Sequence, residues 1–174
     1  MVKYLKKIKS QEDKLYNKIL SLSRNKFLYT KLDLRDTFQN RIYLIFLHLS
    51  FVLINLKQKK LNLTNKKFYQ NMFDISFKKI ELNMREVGYG DIMVNKNMKF
   101  LVKIFYSILL SCENYKNKSY NGKNLFLTKY LVLNDSQKSI NNINLVKYFD
   151  KYQAFCFDLT EDSVLKGDLN FSYK

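Results

Sequence analysis

The residues that could do chemistry are few. His48 is the only histidine and sits inside the apolar run IYLIFLHLSFVLINL, residues 42–56, while Cys112 and Cys156 stand 44 positions apart with no CxxC. Two-cysteine, one-histidine zinc spacing is therefore missing. Gly88-Tyr89-Gly90 lacks the third glycine and the preceding strand of a dinucleotide loop. A Ser/His/Asp or Cys/His arrangement would have to place everything on His48. The residues point away from an enzyme, and no cofactor or metal is expected. His48 reads as a hydrogen-bonded core or groove histidine, and the cysteines as reduced packing residues of a cytosol-like compartment.

The densest unusual stretch is Met84-Arg85-Glu86-Val87-Gly88-Tyr89-Gly90-Asp91-Ile92, followed by Val94, Lys96, Met98 and Lys99. Two glycines two positions apart make a tight helix exit. Asp91 is placed to cap backbone amides or to pair with Arg85 or a lysine of the following helix. Spacing leaves two readings open: an ordinary helix-turn-helix corner, or a rigid one that presents Arg85, Glu86 and Asp91 to a partner.

The elements around this corner are helical by their apolar period. Leu15, Ile19 and Leu22 predict a helix from about Gln11 to Tyr29. Asp36 or Thr37 can cap a second, from about Phe38 to Lys60, apolar on every face and so central to the core. Its 15-residue apolar run is shorter than a spanning helix needs, roughly 18 to 20 residues. Thr64 can cap a third, with Tyr69, Phe73, Phe77, Ile80, Met84 and Val87 as its stripe and Gly88 as its left-handed end. Asn95 can open a fourth, with Met98, Leu101, Val102, Phe105 and Leu109 buried, ending in a polar loop near residues 114–121. Leu125 to Leu133 is ambiguous between helix and strand. Leu145, Phe149, Tyr152, Cys156 and Leu159 predict a last helix from about Ile143, after which residues 160–174 are expected to fray. The expectation is an all-α, single-domain bundle of five to seven helices spanning residues 1–174.

Composition adds a field to this picture. The chain holds 31 basic and 15 acidic side chains, a balance of +16, with 27 Lys, 4 Arg, 19 Asn, one Ala and no Pro or Trp. That usage is what A/T-rich coding produces, so much of the charge follows codon bias. The field still draws the chain toward RNA, ribosomes and anionic lipid. It is concentrated in residues 1–87, which carry 19 basic and 7 acidic groups, or +12, against 12 and 8, or +4, in residues 88–174. The start has no apolar segment behind its charges and so no secretory signal. Lys3, Lys6, Lys7, Lys9 and Lys14, around Leu5 and Ile8, read as a solvated start or an amphipathic membrane contact. Lys57 to Lys67 reads as a solvated connection.

MREVGYGDIMVNKNMK resembles the signature LREMGVGDLxVxKxMK of the ubiquinol-cytochrome c chaperone family, known from mitochondria and alphaproteobacteria. Asp36-Thr37 with Arg41 is similar to the family's DTxxGR, with Asn40 in place of glycine. Leu47-His48-Leu49 matches its LHL, and Phe105-Tyr106 fits its FYGR, with Ser107-Ile108 replacing Gly-Arg. Asn71 to Phe77 falls in the equivalent helix before the signature. The resemblance runs over about residues 12–157.

It implies a non-catalytic assembly chaperone that binds newly made cytochrome b and assists assembly of the cytochrome bc1 complex. The implied setting is the inner face of an energy-transducing membrane, in the bacterial cytosol or the matrix. Implied partners are the client, the ribosome near its tunnel exit, a small helical protein and the anionic membrane surface, with no sequence-specific nucleic acid. The implied partner-binding residues are Arg41, His48, Arg85, Glu86, Gly88, Gly90, Asp91, Lys96 and Lys99. The motif positions further imply an apolar client groove lined by Phe46, His48, Phe51, Phe77, Met84 and Phe105. The alternative is a basic RNA- or ribosome-binding accessory protein without sequence preference, against which stand the scarcity of arginine and the absence of an RNP, KH or zinc motif.

Overall fold

The computed structural model describes residues 10–59, 62–134 and 138–173. The lysines before Ser10, together with Lys60 and Lys174, lie outside them. The described residues are all-α apart from one isolated antiparallel bridge, Leu34 to Leu133. Six helices of eleven or more residues form the bundle: α1 (Gln11–Ser23), α3 (Phe38–Lys59), α4 (Leu63–Glu86), α5 (Asp91–Glu113), α6 (Tyr120–Tyr130) and α7 (Lys138–Asp158). Two five-residue helices, α2 (Lys26–Thr30) and α8 (Glu161–Leu165), complete it.

α3 is the axis. Every residue from Ile42 to Leu56 is buried, and α1, α4, α5, α7 and α8 all pack against it. It is long and apolar enough to cross a membrane, yet 83% of that apolar window is covered by the rest of the protein. It begins where expected because the Thr37 hydroxyl accepts from the Asn40 amide at 3.2 Å, satisfying one of the free N–H groups of its first turn.

The other boundaries move for local reasons. The predicted first helix is two, because Asn25 caps α2 by accepting from the Phe27 amide and the Tyr29 hydroxyl donates to the Ser23 carbonyl at 2.6 Å. α4 is capped by Asn62 rather than Thr64. Its buried side holds Phe68 and Met72 as well as Phe77, Ile80 and Met84, while Tyr69 and Phe73 are half-buried. This follows from α4 lying against α1 on one side and α5 on the other. α5 starts at Asp91, four residues before Asn95, directly from the glycine turn. The polar stretch after α5 contains a 3-10 turn (Tyr115–Asn117) that buries Tyr115 completely.

The ambiguous segment resolves into both alternatives: helix to Tyr130, then extended chain that bridges to Leu34. Asn40 locks that crossing. Its amide donates to the Arg35 and Val132 carbonyls at 2.7 and 2.8 Å and accepts from the Val132 N–H at 3.0 Å.

The expectation of a frayed tail is overturned for residues 160–173. Thr160 caps α8, Val164 and Leu169 are buried, and Phe171 sets its ring 5.0 Å from that of Tyr152. The missing periodicity reflects anchoring by single side chains at irregular intervals rather than by a helix face.

Candidate functional site

The α4–α5 corner is a rigid construction. Gly88 has φ +98°, the Tyr89 N–H donates to the Met84 carbonyl at 3.1 Å, and the Gly88 N–H donates to the Arg85 carbonyl at 3.0 Å. This pair of bonds is the Schellman closure of a helix C-terminus. Arg85 then spans the turn. Its guanidinium donates to Glu81 Oε1 at 3.0 and 3.1 Å within α4 and to the Asp91 carboxylate in the first turn of α5. These bonds hold Arg85 more firmly protonated than usual, and Asp91 complements the positive end of the α5 dipole.

The second motif sits beside the corner. The Asp36 carboxylate takes a bidentate grip from Arg41, at 2.6 and 2.9 Å, and this hydrogen bonding holds its pKa below the usual carboxylate value. Phe38 stacks on Tyr89 with ring centroids 6.3 Å apart. Arg41, Glu86 and Val87 line one cleft of about 210 Å³. Residues 36–41 and 85–91 thus form a single end of the molecule.

Around that end the surface is apolar. Ile92 is 88% exposed and Val87 66%, with Met93, Phe100 and Tyr89 exposed near them. Ile92, Lys96, Lys99, Lys103, Tyr106 and Leu110 recur at spacings of 4, 3, 4, 3 and 4 on α5, and all are exposed. This outer face carries lysines in its middle and apolar side chains at both ends.

The proposed groove, by contrast, does not exist as a surface. Phe46, Phe51, Phe77, Met84 and Phe105 are all buried, and Phe46 packs its ring 5.5 Å from Phe77 and 5.3 Å from Phe105. Phe46, Phe77 and Phe105 close the seam where α3, α4 and α5 meet, whereas Phe51 turns to the other side of α3, against Tyr115, Phe149 and Tyr152. His48 is likewise interior, with no exposed surface. Its Nδ1 faces the Leu44 carbonyl at 2.6 Å, which can only accept, so Nδ1 carries the proton and Nε2 accepts from the Tyr148 hydroxyl at 2.8 Å. Burial lowers its pKa to about 4, leaving a neutral structural histidine.

Arg41, Arg85, Glu86, Gly88, Gly90 and Asp91 therefore share one end, Lys96 and Lys99 lie on the adjoining face of α5, and His48 belongs to the core. The residues that sequence reasoning missed are the exposed Val87 and Ile92. Helical spacing puts Val87 on the α4 stripe, and Ile92 lies before the start of α5 expected at Asn95. Cys112 and Cys156 are buried thiols whose pKa values burial pushes up. Among the described residues no group of three or more His, Cys, Asp or Glu side chains gathers as a metal site.

The described residues are thus a helical bundle with a braced, apolar-edged corner. The profile of the family described as Ubiquinol-cytochrome C chaperone matches residues 30–171, and the chain belongs to that family. The fold is shared with the crystal structure of the Cbp3 homolog from Brucella abortus: TM-score 0.77, 21% identity, covering 94% of this chain and 89% of that one. No curated protein sequence matches the chain.

Proposed function

We propose that this chaperone binds newly made cytochrome b, without catalysis, and assists its assembly into the cytochrome bc1 complex at the inner face of the energy-transducing membrane. The observation that carries the reading is the ledge of Val87, Ile92 and Met93 held in solvent at the signature corner. Exposed apolar side chains grouped on a braced element mark an interaction surface. The family supplies the class of client, and the ledge supplies a surface for its apolar segments. Methionine and aromatic side chains there adapt to varied apolar partners. The Lys96, Lys99 and Lys103 stripe supports the further partners that the resemblance implies, ribosomal RNA near the tunnel exit or a small helical protein with acidic side chains.

A photo-crosslinking residue placed at Ile92 in the native host tests this. The expected product is an adduct with cytochrome b that survives about 0.5 M salt, where surface electrostatics are screened. The same probe at Leu125 on α6, also exposed, should give none. Equal adducts at both positions, or adducts with ribosomal RNA alone, would overturn the reading.

A further inference from the structure

A second candidate site lies at the opposite end of the α4–α5 pair, roughly 30 Å from the corner by helix rise. Here the last turns of α3, the first of α4 and the last of α5 enclose a cleft of about 270 Å³. That is near the lower end of small-molecule pockets, about 300 Å³. Its apolar walls include Leu53, Ile54, Leu56 and Leu109, and its polar groups are Lys57, Asn65, Lys66, Tyr69 and Glu113. Lys57 and Glu113 pair with each other at 2.5 Å. Lys66 makes no ion pair among the described residues. Lys67 beside it is exposed and likewise makes no ion pair among the described residues, whereas Lys59 donates to the Leu159 carbonyl and Glu161 accepts from Asn62. Leu63, 84% exposed, stands one turn before Lys66, and Leu110, 64% exposed, stands one turn before Glu113.

We propose that this cleft takes one acyl chain of an anionic membrane phospholipid, with the phosphate beside Lys66 and Lys67 and with Leu63 and Leu110 in the bilayer interface. An apolar pocket whose Lys66 has no acidic partner among the described residues is complementary to an amphiphile with an anionic head. A client helix would leave Lys66 without a counter-charge, and RNA would leave the apolar walls unused. Two exposed leucines on different helices point to a surface that covers both at once, as a bilayer does. The site extends the reading of a chaperone at a membrane face, and its test requires no cytochrome b.

The chain has no tryptophan, so Tyr69→Trp places a single reporter in the cleft. With vesicles containing anionic phospholipid brominated in its acyl chains, at about 0.15 M salt, the expected result is quenching and a blue shift. Purely zwitterionic vesicles should give neither. Lys66→Glu with Lys67→Glu should weaken vesicle binding about tenfold or more. The same charge change at Lys26 and Lys31, the first residue of α2 and the residue after its last, should weaken it less than about threefold. Vesicle binding without quenching, equal effects of the two pairs, or quenching by soluble brominated fatty acid and not by vesicles would each overturn the proposal, as would occupancy by an apolar client peptide in competition with lipid. Leu110→Trp, on the exposed side of α5 next to the lining residue Leu109, gives a second reporter should Tyr69→Trp fail to fold.

Discussion

The His48 ring accepts a hydrogen bond from Tyr148, a hundred residues away, at 2.8 Å, and so ties the middle of α3 to α7. Tyr152 adds a second tie, donating from its hydroxyl to the His48 carbonyl at 3.1 Å. The ring is neutral in the fold because burial lowers its pKa to about 4, whereas the unfolded chain takes up the proton near pH 6.5. Below pH 6.5 the unfolded state therefore binds more protons, and stability falls with pH until about 4. The expected loss between pH 7 and pH 5 is about 2 kcal/mol from this group alone. Urea unfolding at the two pH values, with His48→Gln for comparison, checks it. The variant should be less stable at pH 7 and should show a shallower pH dependence. An unchanged slope would assign the acid sensitivity to other groups.

Asn40→Gly restores the residue that the resemblance places in the second motif, and the structure expects it to harm this chain. Three side-chain hydrogen bonds to Arg35 and Val132 would go, and a glycine would enter the first turn of the central helix. The expected cost is about 2 kcal/mol, read as a lower urea midpoint at unchanged slope. Asn40→Asp should also destabilise, because a carboxylate cannot donate to the two carbonyls.

Much of this fold was legible because helical period dominates the sequence. The expected start of α3 at Phe38 is the observed one, whereas the expected start of α5 lies four residues late because Gly90 begins the helix with no side-chain cap. The corner is legible as a motif, and among the alternatives that spacing leaves open for Asp91 the structure selects the pair with Arg85. The groove was not. Phe46, Phe77 and Phe105 look alike in sequence whether they line a cleft or close a seam, and only the approach of three helices decides. Nor was the tail legible, since Val164, Leu169 and Phe171 follow no period.

Gly167 shows how closely that tail is fitted. It has φ +70°, and a Cβ there would lie 2.7 Å from the Gln11 carbonyl oxygen and 3.0 Å from the Leu15 nitrogen, both backbone atoms of α1. Gly167→Ala therefore meets a left-handed backbone and a collision that no rotamer relieves. The expected loss is at least about 2 kcal/mol, since the left-handed conformation alone costs about 1 to 2. Hydrogen exchange should show α8 and the first turns of α1 opening together. A variant as stable as the parent would mean that the tail shifts freely on α1.

The two corner glycines separate architecture from recognition. At Gly88 a Cβ meets nothing within 4 Å, so Gly88→Ala suffers only from φ +98°, an expected loss of about 1 to 2 kcal/mol. Gly90 has φ −70° and equally open space around its Cα. As the N-cap of α5, it tolerates serine, which supplies a hydroxyl to the first-turn amides and stabilises by a few tenths of a kcal/mol. Folding alone therefore gives no reason for glycine at position 90, whereas a partner backbone seated against the corner does. The expected outcome is that Gly90→Ser keeps or raises the urea midpoint yet loses the cytochrome b adduct formed from Ile92, while Gly88→Ala lowers the midpoint and retains part of the adduct. Full adduct formation by Gly90→Ser would leave Ile92 in contact with the client and remove residue 90 from the interface.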